Sequence, residues 1–461
     1  MYKLNYFNFK KEPDYYLITN DMGYYSFLSE SDFNRLIKRK KISEEKLKEL
    51  IDKKFIYNTP EELFSIGAAQ KLSKFKYERL LPTSLHIFVV SKNCNYNCIY
   101  CQAGNLNEKK DYLMNKEVAK KSVDIALQSP INNLSFEFQG GEPLINYDVI
   151  KYIIEYAETN KGDRKIEYNV VSNLSLLTNE MIEFFSQYNV SLSTSLDGSR
   201  KIQLNNRPYL KGNSYDDVIS KIEKLKSLNM KAGAIQTTTK YSLNRYKEIV
   251  DEYVKNELNV LFLRPLTRLG KAGKNWEKIG YTEKEFLDFY KNSLDYMIEL
   301  NKKGVKIKEG HASIFLKKIL KNESVNYMEL RSPCGGAIGQ LAYYYDGNIY
   351  TCDEGRMLAE MGDNSFLIGN VNNSYKELIE SDSTKATCIS SCLEVIPYCS
   401  SCVYSPYCGT CPVLNLALNK SIFAKNPNGY RCQIYGGILK ILFDYIKNDQ
   451  EALNIFYEWI D

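Results

Sequence analysis

The sequence predicts an α/β fold built around a parallel sheet. Between residues 85 and 266, short segments with apolar or alternating side chains suit strands, and longer segments with helical periodicity lie between them. Alternation at this spacing favours parallel strands joined by right-handed crossovers, in a sheet that is either open or curled into a barrel. The predicted strands are 85–90, 134–139, 166–173, 190–196, 232–239 and 260–266, and the main predicted helices between them are 116–128, 147–160, 179–187, 215–228 and 244–255.

Length and composition narrow the function classes. A chain of 461 residues suggests about three domains. The 61 basic and 56 acidic residues nearly cancel, which leaves no electrostatic footprint for nucleic acid or an anionic membrane. No apolar run reaches the ~20 residues of a spanning helix, and the first residues lack the apolar core of a signal peptide. We therefore expect a cytoplasmic protein whose twelve cysteines are metal ligands rather than disulfides, with neither nucleic acid nor membrane as partner.

Residues 1–80 form a predicted small α+β domain. Segments 3–9 and 14–19 suit strands, the turn at 20–23 suits a hairpin, and 24–28 is the predicted return strand. Ser29 or Ser31 is a candidate cap for a helix through about Lys40, and Ser43 for a second helix.

Three cysteines follow the first strand of the predicted sheet. Cys94, Cys98 and Cys101 are separated by three and two residues. Iron–sulfur clusters usually take four cysteine thiolates, so three closely spaced thiolates leave one iron of a [4Fe-4S] cluster without a protein ligand. The alternative is a set of buried thiols or a zinc knuckle, although the spacing is not that of zinc fingers.

This trio, with Tyr100 directly before the last cysteine, resembles the signature of the radical S-adenosylmethionine (radical SAM) enzymes. The resemblance implies a [4Fe-4S] cluster whose open iron binds the amino and carboxylate groups of S-adenosylmethionine (SAM). It also implies that one electron from the cluster cleaves SAM to methionine and a 5′-deoxyadenosyl radical. The six predicted strand–helix units match the partial (β/α)6 barrel typical of this family, in which chemistry occurs at the carboxyl ends of the strands.

Glycines and a carboxylate follow the second predicted strand. The candidate cofactor-binding residues there are Gln139, Gly140, Gly141 and Glu142. Glycines let a backbone approach a ligand closely, and a carboxylate can accept hydrogen bonds from an ammonium group. The segment resembles the GGEP motif of radical SAM enzymes, which implies that it holds the methionine amino group of SAM. Taken alone, it is an ordinary turn.

Polar residues also end the next two predicted strands. Asn173 follows the third strand, Ser195 and Asp197 follow the fourth, and Arg207 comes in the next loop. Polar side chains suit ribose hydroxyls, and a guanidinium suits the methionine carboxylate. The family resemblance implies such contacts with SAM, although each residue would equally serve as a loop cap.

The other nine cysteines lie from residue 334 onwards. Cys334 precedes a predicted hairpin with its turn at Asp346-Gly347, and Cys352 follows that hairpin. The remaining cysteines are Cys388, Cys392, Cys399, Cys402, Cys408, Cys411 and Cys432. Two CxxC pairs only five residues apart do not match a four-cysteine zinc ribbon.

This pattern resembles the SPASM extension, the twin auxiliary-cluster domain of radical SAM enzymes that modify peptides and proteins. The resemblance implies two auxiliary iron–sulfur clusters, each [4Fe-4S]. One would be bound by Cys399, Cys402, Cys408 and Cys432, and the other by Cys334, Cys352 and Cys411. For the fourth ligand of the second cluster, Cys388, Cys392, or a position open to a peptide thiolate or other donor are the alternatives. Two residues precede Cys411 where the family pattern has three, and zinc in one or both sites is the structural alternative.

Few other residues suggest acid–base chemistry. Asp353 corresponds in position to an aspartate that acts as a base in sulfatase-maturing relatives, so the resemblance makes it a candidate catalytic residue; it is otherwise an ordinary turn residue. His86 lies in an apolar strand and is predicted to be a core residue, and His311 is predicted in a loop. Neither histidine has a partner in the sequence for acid–base catalysis.

The predicted domains are 1–80, a small α+β domain for peptide recognition or a structural cap; 81–330, the radical SAM partial barrel with bridging helices; and 331–461, the auxiliary-cluster domain with a C-terminal helix over about 435–459. Within the superfamily, residues 20–28, 85–102 and 423–432 most resemble the maturase of the His-Xaa-Ser peptide system.

The function implied is a radical SAM peptide maturase that abstracts hydrogen from a ribosomally made precursor peptide, with an electron donor such as flavodoxin or ferredoxin. The alternatives are sulfatase-maturase-like oxidation of a Cys or Ser in a protein, and a non-catalytic iron–sulfur electron carrier or peptide-binding module.

Overall fold

Strands and helices alternate along most of the chain in a computed structural model, which describes residues 2–59, 66–103, 112–209, 211–230 and 232–461. The strands are β1 Lys3–Leu4, β2 Asn8–Lys11, β3 Tyr16–Thr19, β4 Tyr25–Leu28, β5 Ile56–Tyr57, β6 Leu85–Ser91, β7 Asn133–Gly140, β8 Lys165–Val171, β9 Ser191–Ser195, β10 Ala232–Thr237, β11 Val260–Arg264, β12 Lys308–Glu309, β13 Gln340–Tyr343, β14 Asn348–Tyr350 and β15 Leu367–Asn370. The α-helices are α1 Glu30–Ile37, α2 Glu44–Asp52, α3 Ile66–Phe75, α4 Lys116–Ala126, α5 Tyr147–Asn160, α6 Asn179–Gln187, α7 Arg200–Asn206, α8 Ser214–Ser227, α9 Tyr246–Lys255, α10 Gly270–Lys274, α11 Trp276–Ile279, α12 Glu283–Lys302, α13 Gly310–Leu320, α14 Asp353–Ala359, α15 Tyr375–Ile379, α16 Asp382–Ser391, α17 Pro412–Asn419, α18 Tyr430–Asn448 and α19 Gln450–Ile460.

The central sheet has the strand order β12-β11-β10-β9-β8-β7-β6-β13-β14-β15 in the described residues. Neighbours from β12 to β13 pair in parallel, and β14 and β15 extend the sheet with antiparallel pairing. The six predicted strands correspond to β6 through β11, which lie in chain order. The predicted α/β fold with a parallel sheet of strand–helix units is therefore confirmed.

Alternating burial explains why β7 positions functional groups on one face. Phe136 and Phe138 are fully buried in the hydrophobic core that also contains Ile150 and Ile153 of α5. Glu137 and Gln139 lie at the intervening positions and are half-buried. Because successive side chains of a strand point to opposite faces, these two polar side chains project from the sheet face opposite the helices.

The small N-terminal domain covers the cysteine run of the C-terminal region. Its antiparallel sheet β2-β3-β4 packs with α1 and α2, and Ser29 caps α1, which ends at Ile37 rather than near Lys40. Asn8 Nδ2 donates to the Cys402 carbonyl (3.1 Å), and Thr19 Oγ1 donates to the Val403 carbonyl (2.7 Å). The boundary at residue 80 remains a prediction, and residues 1 and 60–65 of that range lie outside the described residues.

The C-terminal region joins the central sheet through β13. The predicted hairpin is present as β13 and β14, with Gly347 at φ +92° in its turn. Strand β13 also pairs in parallel with β6, a contact that the sequence did not predict. The predicted boundary at 330 and 331 thus lies between strands of one sheet, and this domain division remains a prediction.

The predicted C-terminal helix is two helices. Asp449, at φ −131° and ψ 96°, ends α18 and caps α19 by accepting from the Ala452 amide. A single helix over 435–459 was therefore the wrong prediction. No helix within the described ranges is long and apolar enough to cross a bilayer.

Replacing Thr19 with Val keeps the shape of the side chain but leaves the buried Val403 carbonyl without its donor. We expect the free energy of unfolding to fall by about 1–3 kcal/mol, measured by urea denaturation of the full chain. The matched control is Thr59→Val at an exposed position, which should change it by less than about 0.5 kcal/mol. Equal effects of the two substitutions would contradict this account of the domain contact.

Candidate active site and auxiliary cysteine sites

A cavity of about 240 Å³ lies at the carboxyl ends of the parallel strands and brings the first three cysteines together. Cys94, Cys98 and Cys101 are half-buried in its lining. The predicted cofactor-binding residues that also line it are Gln139, Gly140, Gly141, Asn173, Ser195 and Arg207. We call this space the cofactor cavity; Glu142 and Asp197 are not in its lining.

Gly140 and Gly141 are required by a close backbone contact. A Cβ added to Gly140, which has φ +150°, would lie 2.0 Å from the Ser91 carbonyl oxygen, and one added to Gly141 would lie 2.4 Å from that of Asn93. The amides of Gly141 and Glu142 donate to the carbonyls of Ser91 and Asn93, each at 2.8 Å. The glycines therefore fix the start of the cysteine loop against the end of β7, a role in addition to the predicted approach to a ligand.

Glu142 organises the neighbouring strand end. Its carboxylate is fully buried and accepts from the Ser172 hydroxyl (2.7 Å), the Asn173 amide (2.8 Å) and the Leu144 amide (3.0 Å). Burial raises the pKa of this carboxyl to about 7, against the lowering effect of these hydrogen bonds. Its direct contact with SAM remains a prediction.

Asp197 is a buried hub behind the cysteine loop. It accepts from the Tyr100 hydroxyl (2.6 Å), the Asn206 amide nitrogen Nδ2 (3.1 Å) and the Thr237 backbone amide (3.2 Å). Arg207 Nε lies 3.2 Å from its Oδ1. Asp197 thus holds a tyrosine of the cysteine motif and the cavity arginine in fixed positions, rather than lining the cavity itself.

Polar groups lie near two of the three thiols. Arg207 Nη1 lies 4.0 Å from Cys98 Sγ, and Asn173 Nδ2 lies 4.0 Å from Cys94 Sγ. Burial raises the pKa of the Cys98 thiol to about 11, and the Arg207 guanidinium opposes this rise. A cation and an amide directed at the sulfurs suit thiolate ligands, because thiolates rather than thiols bind metals.

A second cavity contains the cysteines predicted for one auxiliary cluster. Its lining includes Cys399, Cys402, Cys408 and Cys432. Burial raises the pKa of the Cys399 thiol to about 12, and Asn426 Nδ2, which donates to its sulfur at 2.8 Å, lowers that pKa. Four thiols around one space match the donor set of a [4Fe-4S] cluster.

A third cavity, here called the Cys334 cavity, is lined by Cys334, Cys352 and Cys411. Two carboxylates, Glu329 and Glu354, share its lining. The pKa of all three thiols is raised, to about 11 for Cys334 and about 12 for Cys411, mainly by burial and in part by the Glu354 carboxylate. Neither glutamate belongs to a cysteine spacing pattern, so neither was predictable as part of this site from the sequence.

The two extra cysteines lie elsewhere. Cys388 and Cys392 are absent from the lining of the Cys334 cavity. Cys392 Sγ donates to Glu394 Oε2 at 3.4 Å, and Glu394 in turn pairs with Lys76 and Arg79. Neither predicted candidate for the fourth ligand therefore lines the cavity of the three thiols, and the identity of that ligand remains a prediction.

Asp353, the candidate base, begins α14 and is held by an arginine of the same helix. Its Oδ1 accepts from Arg356 Nε (3.1 Å) and Nη2 (2.5 Å). Burial raises the pKa of Glu137 on β7, and the Asp353 carboxylate raises it as well. Asp353 lines neither the cofactor cavity nor the Cys334 cavity. Its role as a base remains a prediction.

The two histidines differ in position. His86 is fully buried, with Nδ1 2.9 Å from the Tyr343 hydroxyl, as expected for a core residue. His311 lies in the first turn of α13, so the loop predicted there is wrong. Its Nδ1 is 3.8 Å from Glu309 Oε1, and the residue lines the Cys334 cavity.

The cofactor cavity and the Cys334 cavity adjoin. Gln102, Arg264, Pro265 and Thr267 line both. Arg264 ends β11, and its Nη2 lies 3.7 Å from Glu329 Oε1 on the side of the Cys334 cavity. A group bound between the two cavities would contact this shared wall.

The residues present fit iron–sulfur clusters. Three thiols line each of two cavities, and four line another. An Arg207 nitrogen lies 4.0 Å from the Cys98 sulfur, and an Asn426 nitrogen lies 2.8 Å from the Cys399 sulfur. Within the described ranges, no three or more His, Cys, Asp or Glu side chains are grouped as ligands for a single metal ion. Thiol-lined spaces of this kind provide the sulfur donors that clusters need.

Comparisons with known proteins agree with this geometry. Residues 88–261 match the family described as the Radical SAM superfamily. The cysteine-type anaerobic sulfatase-maturating enzyme of Clostridium perfringens (strain ATCC 13124) is 26% identical over 383 residues, which cover 80% of this chain and 98% of that enzyme.

Two solved structures are similar in fold. Native anSMEcpe with bound AdoMet has a TM-score of 0.68 at 21% identity and covers 82% of this chain and 100% of its own. SuiB of Streptococcus suis bound to the precursor peptide SuiA has a TM-score of 0.56 at 16% identity and covers 92% of this chain and 98% of its own. The second comparison extends over more of this chain than the first.

Gly141→Ala tests the close backbone contact beneath the cysteine loop. The added Cβ must displace the backbone of residues 92 and 93, so we expect a loss of about 1–3 kcal/mol in unfolding free energy. Gly233→Ala is the matched control, because its Cβ would meet no atom nearer than 3.9 Å. Urea denaturation of both variants checks this, and an unaffected Gly141→Ala protein would contradict it.

Glu142 should make stability depend on pH. Its folded-state pKa of about 7 exceeds the ordinary glutamate value of about 4.3. The folded state then retains a proton that the unfolded state releases, so stability is lost as pH rises through this window. Relative to Glu142→Gln, cofactor-free wild type should lose about 3 kcal/mol between pH 4.5 and 7.5, measured by urea denaturation. Parallel pH curves for the two proteins would refute the buried titration.

Proposed function

We propose that this chain, which contains a radical SAM domain and is an enzyme, modifies a ribosomally made precursor peptide by hydrogen abstraction. The observation that carries the proposal is the wall shared by the cofactor cavity and the Cys334 cavity. A peptide side chain bound at that wall would lie between the SAM site and an auxiliary cluster. A simple electron carrier has no need of a substrate space in this position.

The chain's own residues bind and orient the reactants. When bound, the [4Fe-4S] cluster and SAM supply the 5′-deoxyadenosyl radical that abstracts hydrogen. Cys94, Cys98 and Cys101 provide the protein ligands of that cluster, and Arg207, fixed by Asp197, presents its guanidinium to the methionine carboxylate. Most of the chemistry belongs to the cofactors, and the protein supplies position and charge.

The proposed substrate is a peptide because the solved relatives are described with peptides. SuiB is described as bound to its precursor peptide SuiA, and its fold covers most of this chain, including residues beyond the superfamily match. The small domain at 1–80 would recognise part of the peptide. In more detail, we propose that the enzyme is a maturase of the His-Xaa-Ser type and that it binds two auxiliary [4Fe-4S] clusters. Flavodoxin or ferredoxin would be its electron donor.

A second candidate function is the oxidation of a Cys or Ser in a protein segment. Similarity to a sulfatase-maturating enzyme over 98% of that enzyme's length favours it. Asp353 would then act as the base, and its hydrogen bonds with Arg356 would orient its carboxylate. Incubation with Cys- and Ser-containing peptides separates the two, because aldehyde formation identifies this second function by mass spectrometry.

The first test is anaerobic production of 5′-deoxyadenosine. After reconstitution with iron and sulfide, wild type with SAM and reductant should form it, and the variant with Cys94, Cys98 and Cys101 changed to Ala should fall to background. The matched control changes Cys388 and Cys392 to Ala, two cysteines outside the three cavities, and should retain activity. If wild type carrying a reducible cluster forms no product, the carrier or binding-module alternative is supported instead.

A further inference from the structure

The Cys334 cavity lacks a thiol. A [4Fe-4S] cluster takes four protein donors when it is fully ligated. The lining contains Cys334, Cys352 and Cys411, and the two cysteines outside the assigned sets are not in it. The fourth donor must therefore come from another residue of the lining, from substrate, or from solvent.

Glu354 is placed to supply that donor. It lies two residues after Cys352, in the first turn of α14, and its side chain lines the same cavity as the three thiols. It acts electrostatically on all three of them. Its carboxylate makes no side-chain hydrogen bond and no ion pair with any residue in the described part of the chain. The carboxylate interacts with the backbone amide of its own residue, and because no other described side chain holds it, it is available as a ligand.

Among the neighbouring polar groups, Glu329 and Asp353 each have a side-chain partner, and His311 packs against an aromatic ring. Glu329 Oε2 accepts from the Tyr435 hydroxyl (3.0 Å) and Arg431 Nη2 (3.2 Å). The ring of His311 is packed edge-on against Phe262, with centroids 5.3 Å apart, and Nδ1 faces Glu309. Asp353, the neighbour of Glu354, is bound by Arg356.

We propose that the Glu354 carboxylate is the fourth protein ligand of the cluster in the Cys334 cavity, giving a set of three cysteines and one glutamate. The assignment rests on the proposed auxiliary cluster at that position. An oxygen donor binds iron less strongly than a thiolate does and favours different geometry, so this iron would be the exchangeable one of the cluster. Because Glu354 and Cys352 belong to one helical turn, both ligands move together.

The test measures loss of the fourth iron. Full-length protein is reconstituted anaerobically and loaded with SAM to occupy the open iron of the first cluster, then treated with a mild oxidant. Appearance of the EPR signal of a three-iron cluster is followed with iron content. Glu354→Ala and the isosteric Glu354→Gln should lose the fourth iron about tenfold faster than wild type or more. Glu354→Cys should lose it no faster than wild type.

Asp353→Asn is the matched control, because it removes the adjacent carboxylate that lies outside the lining; it should behave as wild type. Wild-type rates in both Glu354→Ala and Glu354→Gln would overturn the assignment. Faster loss only in His311→Ala, or only in the double variant Cys388→Ser and Cys392→Ser, would overturn it in favour of those residues.

Failure of the underlying cluster assignment has a different signature. Cys334→Ala removes one thiol of the cavity and should lower the iron content by about four atoms per chain if a cluster resides there. An unchanged iron content would overturn both that cluster and the ligand. Production of 5′-deoxyadenosine by the same sample would show that the chemistry at the first three cysteines is intact.

Discussion

Strand β6 pairs with β7 on one side and β13 on the other, and this pairing sets the relative positions of the first cysteine site and the Cys334 cavity. The cysteine loop leaves the carboxyl end of β6, and the glycine segment leaves β7 beside it. Strand β13 lies between Cys334 and Cys352 in the chain and is hydrogen-bonded to β6. The first cysteine site and the Cys334 cavity are therefore attached to adjacent strands of one sheet, whose spacing is fixed by backbone hydrogen bonds.

Close backbone contacts and buried hydrogen bonds then fix individual side chains relative to this sheet. The glycine contact with residues 91–93 leaves no room for a side chain, and the Asp197 hub holds Tyr100 and Arg207 by direct bonds. A buried charge such as Asp197 is tolerated because it is paired and hydrogen-bonded. Sites built in this way hold their geometry before a ligand arrives, which reduces the ordering needed on binding.

Much of the fold was predictable because the alternation of buried and exposed positions along strands and helices gives a matching alternation of apolar and polar residues in the sequence. On β7 the alternation of Phe136 and Phe138 with Glu137 and Gln139 indicates both a strand and its face. Close spacing indicated that the first three thiols lie together, whereas the grouping of the later thiols was implied by the family resemblance. Each group lines one cavity, and the roles of these thiols as cluster ligands remain a prediction.

What could not be predicted depends on tertiary contacts. The pairing of β13 with β6 is a contact between distant segments and leaves no periodic pattern in the sequence. Strand β12 has only two residues, which is too short for a recognisable pattern. Glu354 belongs to no sequence motif. It lies beside Cys334, Cys352 and Cys411 only because the fold brings residues from separate segments into one cavity. His311 was assigned to a loop because its helix begins there, capped by Glu309, and caps are poorly marked when the flanking residues are apolar or glycine.

The pairing of β13 also constrains how the polypeptide can be divided. A fragment ending near residue 330 would contain the complete superfamily match yet would leave one edge of β6 without its partner. That edge belongs to an apolar strand whose residues are almost all buried. Uncovered edges of this kind associate with other chains, so such a fragment should form aggregates.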